Sequence, residues 1–314
     1  MKKTNKHLLM AGGIFCAAGL LIFGAGIASG GKEYIRSADL NRISGAAMMD
    51  SSDSHAILSK TKIDAFSAVN IDLRNIDLDV KESDDGEFYI AYNIETSDGM
   101  LPLSYQVQND TLNVVEKKGH ESYSYIHIDI NFLQEMLGQS HVIENSNKLT
   151  LYIPGKTDLS SFSCKMGYGT LDAESLNTKQ AEIANEDGEI TVKDSSFKNL
   201  KLEAELGDVN FRDVSCTDSQ IILTDGDMTA ENIVFNGENK VVSSLGDIEL
   251  TVPKKELANL SVQAKTKLGD IEVPDELGSM VSDDDTEVLQ ADGTNKNMLT
   301  VESSDGDIEI TVKK

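Results

Sequence analysis

The sequence predicts an all-β protein: a β-solenoid, or single-stranded β-helix, of about 19 residues per coil that follows an N-terminal transmembrane helix. Glycines recur every 19 or 20 residues, and such self-similarity is typical of repeat architectures. Apolar and polar residues alternate around each glycine, which is the period of a strand with one buried face. The uncharged segment Leu8–Ala28 is long enough to span a hydrocarbon core of ~30 Å. The recurring glycines are Gly169, Gly188, Gly207, Gly226 and Gly246.

Each repeat unit contains three pairs of apolar positions. One pair lies seven and five residues before the glycine, a second lies two and four residues after it, and a third lies seven and nine residues after it. In the third unit the last two pairs are Val209 with Phe211 and Val214 with Cys216. The glycine permits a sharp turn, so one unit forms about three short strands, and units stack ~4.8 Å apart. An antiparallel sandwich of hairpins is the alternative that this pattern leaves open.

The first thirty residues combine a basic start with an apolar run. Lys2, Lys3 and Lys6 precede Leu8–Ala28, and basic flanks remain on the cytoplasmic side of a membrane. We therefore expect a single-pass protein of the cell membrane, spanning with residues 8–28, whose N-terminus is cytoplasmic and whose C-terminal domain is extracellular. A cleaved signal peptide, with its site near Gly26–Ala28, is the alternative.

The rest of the chain divides by composition and pattern. After the tail and anchor at 1–30, residues 31–62 are polar and predict a linker. Residues 63–153 predict an irregular, strand-rich first half or a cap, because short apolar alternations continue without the fixed period. Residues 154–314 predict the solenoid repeats, with a sixth turn at Gly269 and a seventh at Gly306. The acidic insertion at 274–297 is expected to form an exposed, mobile loop.

The net charge of the chain restricts the classes of partner that it can bind. The chain has 314 residues and a formal net charge of −25, and its acidic residues all follow the apolar segment. A field of this sign repels nucleic acid and anionic lipid headgroups. It attracts cations and basic partners instead, so we expect no nucleic-acid binding.

An acidic residue follows the turn glycine in most units, and three of these residues form the candidate metal site: Asp208, Asp227 and Asp247. On stacked coils their carboxylates would lie ~5 Å apart, where a hard cation such as Ca²⁺ could bridge them. An Asp beside Gly is also an ordinary turn residue that bonds its own backbone. The calcium-binding repeat G-G-x-G-x-D is absent, so solvated turns are the favoured interpretation. Ca²⁺ is the one cofactor considered, and the sequence predicts no catalytic residue.

Cysteine and histidine carry little further chemistry. Cys164 and Cys216 fall in inward columns almost three coils apart, which predicts two buried free thiols and no disulfide. His120, His127 and His141 are either a metal site or, as we favour, surface residues of a polar sheet. Nucleophile-elbow, Walker and H-E-x-x-H motifs are absent from the sequence.

The repeated turns support a family resemblance. Asp187–Ile190, Leu206–Val209 and Leu245–Ile248 each place Gly before an acidic and an apolar residue, and the strand Leu149–Pro154 precedes the repeats. The chain resembles the bacterial "putative adhesin" β-strand-repeat family of unknown function, which includes LiaG-like membrane-anchored proteins. The resemblance covers about residues 63–314. It implies an extracytoplasmic protein near cell-envelope stress systems and supplies no active-site residues.

The predicted function is a membrane-anchored, non-enzymatic module for adhesion or for cell-envelope interaction and stress response. Its partner would be an envelope protein or a cell-wall component. Two alternatives remain open: a calcium-dependent β-helix enzyme that acts on polysaccharides, and a polymerising envelope scaffold that stacks end to end.

Overall fold

The computed structural model describes residues 54–96, 103–117, 147–277, 279–283, 286–290 and 296–313. They lie within one compact unit, Asp53–Glu121 with Asn145–Lys314. The predicted anchor Leu8–Ala28, most of the linker at 31–62 and the three histidines of the possible metal site lie outside these residues. Within the described ranges, no helix is both long and apolar enough to cross a bilayer.

The described chain is built almost entirely from strands. The part before the regular repeats contains β1 Ser54–Lys62, β2 Ala68–Leu73, β3 Asp77–Ser83, β4 Tyr89–Thr96, β5 Leu103–Gln108, β6 Thr111–Glu116 and β7 Lys148–Pro154. The regular repeats contain β8 Asp158–Leu159, β9 Ser161–Tyr168, β10 Leu171–Glu174, β11 Asn177–Thr178, β12 Ala181–Asp187, β13 Ile190–Lys193, β14 Ser196–Lys198, β15 Leu200–Leu206, β16 Val209–Arg212, β17 Ser215–Thr217, β18 Gln220–Asp225, β19 Met228–Glu231, β20 Val234–Asn236, β21 Glu238–Leu245 and β22 Ile248–Pro253. The last part contains β23 Leu260–Leu268, β24 Ile271–Glu272, β25 Ser279–Asp283, β26 Thr286–Gln290, β27 Asn297–Asp305 and β28 Ile308–Lys313, with single 3₁₀ turns at Leu257–Asn259 and Asp275–Leu277.

These strands form three sheets that run along the stack of coils. Sheet A has the order β1-β4-β7-β3-β10-β13-β16-β19-β22-β28-β24, and sheet B the order β25-β26-β23-β27-β21-β18-β15-β12-β9-β2-β6-β5. Sheet C is shorter, with the order β20-β17-β14-β11-β8. Neighbouring coils pair in parallel, as β13 does with β16 and β15 with β18. The solenoid prediction is therefore confirmed for the repeats, and the antiparallel sandwich is excluded there.

Equivalent residues of successive coils lie directly beside one another. Ile190 pairs with Val209, Val209 with Met228, and Met228 with Ile248. All four side chains are buried, as the alternating pattern predicted. The third pair of positions is buried too. Cys216 and Phe235 lie on strands of sheet C, Val214 and Ile233 lie just before those strands, and all four side chains are buried. One continuous hydrophobic core results.

Three corners close each regular coil. The glycine corner joins sheet B to sheet A, and its glycines other than Gly169 have φ values from +125° to +154°. A second corner leads from sheet A towards sheet C through residues in the left-handed region, and a third leads from sheet C back to sheet B. Asn, Asp, Ser and Gly occupy these last two corners because they tolerate positive φ. The second corner is formed by Ser175, Asp194, Asp213 and Asn232, and the third by Asn199, Asp218 and Gly237.

Buried polar side chains seal two of the corners. The Ser195 hydroxyl accepts a hydrogen bond from the backbone N–H of Leu176 at 3.0 Å and donates one to the carbonyl of Lys193 at 2.6 Å. The Ser219 hydroxyl bonds in the same way to the N–H of Leu200 and to the carbonyl of Thr217. Ser195 and Ser219 are polar exceptions in mostly apolar columns, and both satisfy backbone groups that burial would leave without water.

The order of coils in space differs from the order in sequence at both ends. β27 lies between β21 and β23, and β28 lies between β22 and β24. At the other end, β2 lies between β6 and β9, and β3 lies between β7 and β10. The turn at Gly306 therefore stacks on Gly246, and the turn at Gly269 lies outermost. A prediction from spacing alone put these two turns in sequence order, which the pairing corrects.

Antiparallel strands extend the sheets at both ends of the stack. β4 and β1 extend sheet A beyond β7, and β5 pairs with β6 at the edge of sheet B. At the other end, β25 and β26 form a hairpin that pairs with β23. Within the segment 274–297, expected to be a mobile loop, the described residues form a 3₁₀ turn at Asp275–Leu277 and two strands, β25 and β26, that join sheet B. The prediction of a loop is wrong for these two strands, because the polar composition of the segment hides their short apolar alternation.

Candidate functional site: the glycine-corner surface

The acidic residues after the turn glycines form a hydrogen-bonded ladder. The backbone N–H of Asp227 donates to Oδ1 of Asp208 at 2.9 Å, and that of Asp247 donates to Oδ1 of Asp227 at 2.8 Å. The ladder continues through Asp307 to Asp270, in the spatial order of the coils. Each bond places a partly positive N–H against a carboxylate, which offsets the repulsion between like charges ~4.8 Å apart.

This ladder gives Asp208, Asp227 and Asp247 a structural role that requires no cation. Within the part of the chain that the structure describes, no group of three or more His, Cys, Asp or Glu residues is arranged to hold a metal ion. Calcium binding at the ladder stays a prediction. The sequence could predict that these Asp side chains accept hydrogen bonds from backbone N–H groups, because Asp beside Gly commonly does so. It could not predict that the N–H group belongs to the next coil.

The glycine corner also requires close contact between backbones. A Cβ atom at Gly207 would lie 2.5 Å from the carbonyl oxygen and 2.8 Å from the carbonyl carbon of Gly188. The backbones of neighbouring coils are too close at the glycines to leave room for a side chain between them. The residues immediately before and after the glycines are exposed and form two rows of side chains. We call the line of glycines between these rows the glycine groove.

One of these rows, immediately before the glycines, alternates between apolar and acidic residues. Tyr168 pairs with Asp187, which pairs with Leu206, which pairs with Asp225. The alternation continues from Asp225 to Leu245, from Leu245 to Asp305, and from Asp305 to Leu268. We call this row the turn strip; it comprises Tyr168, Asp187, Leu206, Asp225, Leu245, Asp305 and Leu268.

The apolar members of the turn strip are unusually exposed. Tyr168 is 51% exposed, Leu206 and Leu245 are each 49% exposed, and Leu268 is 64% exposed. Among the described residues, the other exposed large hydrophobics are Ile57 and Val115, which lie on the end caps. Two thirds of such residues therefore fall in one column, so this is an organised surface and not random scatter.

The sequence analysis missed the turn strip. In chain order the last three members are Leu245, Leu268 and Asp305, which do not alternate. Alternation emerges only because β27 lies between β21 and β23. A search for exposed apolar residues one position before each turn glycine could have flagged Leu206, Leu245 and Leu268, but not their spacing.

Elsewhere, one buried carboxylate is paired and two cysteine thiols are enclosed. Asp79 is 5% exposed and forms ion pairs with Lys81 at 3.0 Å and Lys148 at 3.1 Å. Its hydrogen bond raises the pKa of Lys81. Cys164 and Cys216 are buried and free, as predicted, and burial raises the pKa of each thiol to about 12. These thiols are unsuited to nucleophilic chemistry, which requires the thiolate.

Comparison with known proteins gives a family and solved relatives of low identity. The family model described as "Toastrack DUF4097" matches twice, at residues 66–241 and 162–311. No curated protein matches. The similar solved structures include a putative adhesin from Bacteroides fragilis, with 13% identity, a TM-score of 0.42 and coverage of 84% of this chain and 100% of that one.

Two further solved structures are similar at the same level. One is a putative cell adhesion protein from Clostridium sporogenes, with 14% identity, a TM-score of 0.31 and coverage of 83% of this chain and 100% of that one. The other is a putative lipid binding protein from Parabacteroides distasonis, with 13% identity, a TM-score of 0.31 and coverage of 85% and 99%. The family match confirms the resemblance to "putative adhesin" repeat proteins that the glycine turns carry. Since the two matched ranges together cover most of the chain and all seven stacked glycine turns, the chain belongs to the Toastrack DUF4097 family.

Proposed function

We propose that this protein is a non-enzymatic interaction module that is anchored in the cell membrane and displays its solenoid outside the cell, with a role in adhesion or in the response to envelope stress. The observation that carries the proposal is the glycine-corner surface, where exposed apolar and acidic residues repeat with every coil. A rigid, periodic surface of this kind suits binding. Membership of the Toastrack DUF4097 family is consistent with it, and the run Leu8–Ala28 after Lys2, Lys3 and Lys6 supports the anchor.

The geometry favours binding over catalysis. An open cleft of about 440 Å³ lies beside the first cap and has one acidic and one basic side chain in its lining. Most glycoside hydrolases use a pair of carboxylates, and this lining does not supply one. The cleft is lined by Lys62, Ile63, Asp64, Tyr105, Gln106 and Val107.

Membrane placement is tested on the full chain expressed in a bacterial host. We expect it to remain in the membrane pellet after alkaline extraction, and external protease on intact cells to digest the solenoid. In the variant Leu20→Arg/Leu21→Arg, two charges fall in the middle of the apolar run, where each is costly in hydrocarbon. That variant should be lost from the membrane pellet, and Thr4→Arg should behave as wild type.

Two outcomes would contradict this placement. Release of the wild-type chain by alkali would show that the chain is not anchored in the membrane. Protection of the solenoid from external protease would show that the solenoid is not outside the cell. The enzymatic alternative is tested separately, by incubating the full chain with acidic polysaccharides in the presence of Ca²⁺. Release of new reducing ends that scales with protein concentration would overturn the non-enzymatic assignment.

A further inference from the structure

The turn strip has a spacing that restricts what can lie along it. Neighbouring members are one coil apart, ~4.8 Å, so apolar members recur every ~9.6 Å and acidic members lie midway between them. Seven members extend over ~29 Å. From this surface we infer that the turn strip is the docking site for a cationic amphipathic helical peptide that arrives from solution.

An α-helix fits this spacing. A helix that lies along the stack rises ~10.5 Å over seven residues, which is within about 1 Å of the ~9.6 Å between alternate members of the strip. Two turns of the helix therefore match two rungs, and over three heptads the mismatch stays under about 3 Å, which flexible Lys and Leu side chains can absorb. The matching peptide carries Lys or Arg every seven residues and apolar residues midway between them, and about 20 residues would cover the strip.

An extended peptide fits poorly. Side chains on one face of a β-strand recur every 6.6–6.8 Å or so, and therefore fall out of step with rungs ~4.8 Å apart after two rungs. The strip also offers no free backbone edge for strand addition, because β12, β15, β18 and β21 are already paired on both sides within sheet B. A helix needs side-chain contacts alone, and these are what the strip presents.

The charge around the strip selects a cation. Asp187, Asp225 and Asp305 are exposed acidic members, and the ladder of Asp208, Asp227, Asp247, Asp307 and Asp270 runs parallel to them across the glycine groove. Covalent geometry limits the Cα distance between the two rows to about 7 Å. Lys267 beside Leu268 is a basic exception at one end. The net charge of −25 would steer a cationic peptide toward the protein and repel anionic lipid.

This inference deepens the proposed function, since it names what the displayed surface binds. It is tested on the full chain in zwitterionic lipid nanodiscs, so membrane placement in cells does not affect the result. The probe is a fluorescent 20-residue helix with Lys every seven residues and Leu midway between them. Its matched control has the same sequence except that two central residues outside the Lys and Leu positions are replaced with proline, which prevents helix formation. Binding is measured by fluorescence anisotropy at several salt concentrations.

Variants of exposed residues locate the binding site. Leu206→Ser/Leu245→Ser removes two apolar members, and we expect it to weaken binding of the helical probe by about tenfold or more. Asp225→Lys should weaken binding and reduce its dependence on salt. The controls are Ile57→Ser/Val115→Ser, which removes exposed apolar residues outside the strip, and Glu249→Lys on sheet A. Both controls should bind within about twofold of wild type.

Three results would overturn the inference. If the proline-containing probe bound equally well, the bound peptide would not need to be helical. If the strip variants and the control variants weakened binding equally, the turn strip would not be the binding site. If the probe bound no more strongly than it binds to empty nanodiscs, the protein would not bind the peptide. Thermal melting of each variant, matched to wild type, shows that lost binding is not lost folding.

Discussion

Single residues decide whether the coils can stack, and the turn glycines are the clearest case. At Gly207, φ is +125° and the position of a Cβ lies within 2.8 Å of two backbone atoms of Gly188. Both positive φ and steric overlap therefore exclude other residues. The period of these glycines was visible in the sequence, and it predicted the coil length correctly. The close approach of neighbouring backbones was not visible, because it depends on how coils align.

The first prediction separates these two effects. Gly207→Ala should destabilise the protein by more than ~2 kcal/mol, because conformational strain adds to overlap with Gly188. Gly86→Ala is the matched control: its φ is +75° and no atom lies within 4 Å of the Cβ position, so it should cost only ~1 kcal/mol. Chemical denaturation measures both. Equal losses would mean that the backbones at the glycine corner can move apart.

The second prediction compares two adjacent residues. Val209 is fully buried in the core column, and Asp208 is exposed and accepts a hydrogen bond from the Asp227 N–H. Val209→Asp should unfold the solenoid, because it buries an unpaired charge. Asp208→Asn should melt like wild type, because its amide oxygen can still accept that bond. Circular dichroism melting checks both, and a folded Val209→Asp protein would contradict the core assignment.

The third prediction concerns the buried thiols. The ordinary thiol pKa is 9.0, and burial raises those of Cys164 and Cys216 to about 12. Because the native state holds both thiols neutral, their contribution to stability is complete below pH 9 and is lost as pH rises from 9 towards 12. In a Cys16→Ser background, a thiol reagent should modify neither cysteine in native protein at pH 8 and both in denaturant.

The pH dependence has its own control. Between pH 9 and 10.5 the free energy of unfolding of wild type should fall more steeply than that of Cys164→Ala/Cys216→Ala, which lacks the two ionisable groups. Rapid modification of either thiol in the native state would contradict their burial.

At the scale of elements, strands of two to nine residues are stable only as members of a stack. The alternating pattern predicted which faces would be buried, and columns such as Ile190, Val209, Met228 and Ile248 confirmed it. Polar residues in the inward columns, such as Ser195 and Ser219, could not be explained from pattern alone. Their hydroxyls replace water at corners where backbone N–H groups are buried.

The fourth prediction tests the hairpin at the end of sheet B. β25 and β26 cover the outer edge of β23, and an uncovered parallel edge is a site for association between chains. Replacing residues 279–290 with a short Gly-Ser linker should therefore produce concentration-dependent oligomers in analytical ultracentrifugation. A monomeric deletion variant would show that the hairpin has no covering role.

At the scale of the whole molecule, the exchange of coil order was beyond prediction from sequence. The repeat period predicted that Gly306 and Gly269 begin equivalent turns, but local pattern does not specify which coil is outermost. In the final order β27 is the inner strand and pairs on both edges, with β21 and β23. The outer edge of β23 is covered by the hairpin of β25 and β26. The turn strip depends on this exchange, since Leu245, Asp305 and Leu268 alternate in no other order.

The fifth prediction follows from this order. Truncation after residue 295 removes β27 and β28, and leaves β21 and β23 without the strand that joins them. Residues 254–295 should then be rapidly digested in limited proteolysis, while residues 161–253 remain protected. Adding a synthetic peptide of residues 296–314 should restore protection. Unchanged proteolysis of the truncated chain would contradict the exchanged order.

The inner position of β27 and β28 has a consequence for biogenesis. A ribosome makes these strands after β23 and β24, yet β23 pairs with β27 and β24 pairs with β28, and neither pairs with β21 or β22. Folding in the order of synthesis therefore stops at β22, and the last two coils close together once residue 313 has emerged. If the chain is exported, a molecule stalled during translocation would carry an open end that quality-control proteases can recognise.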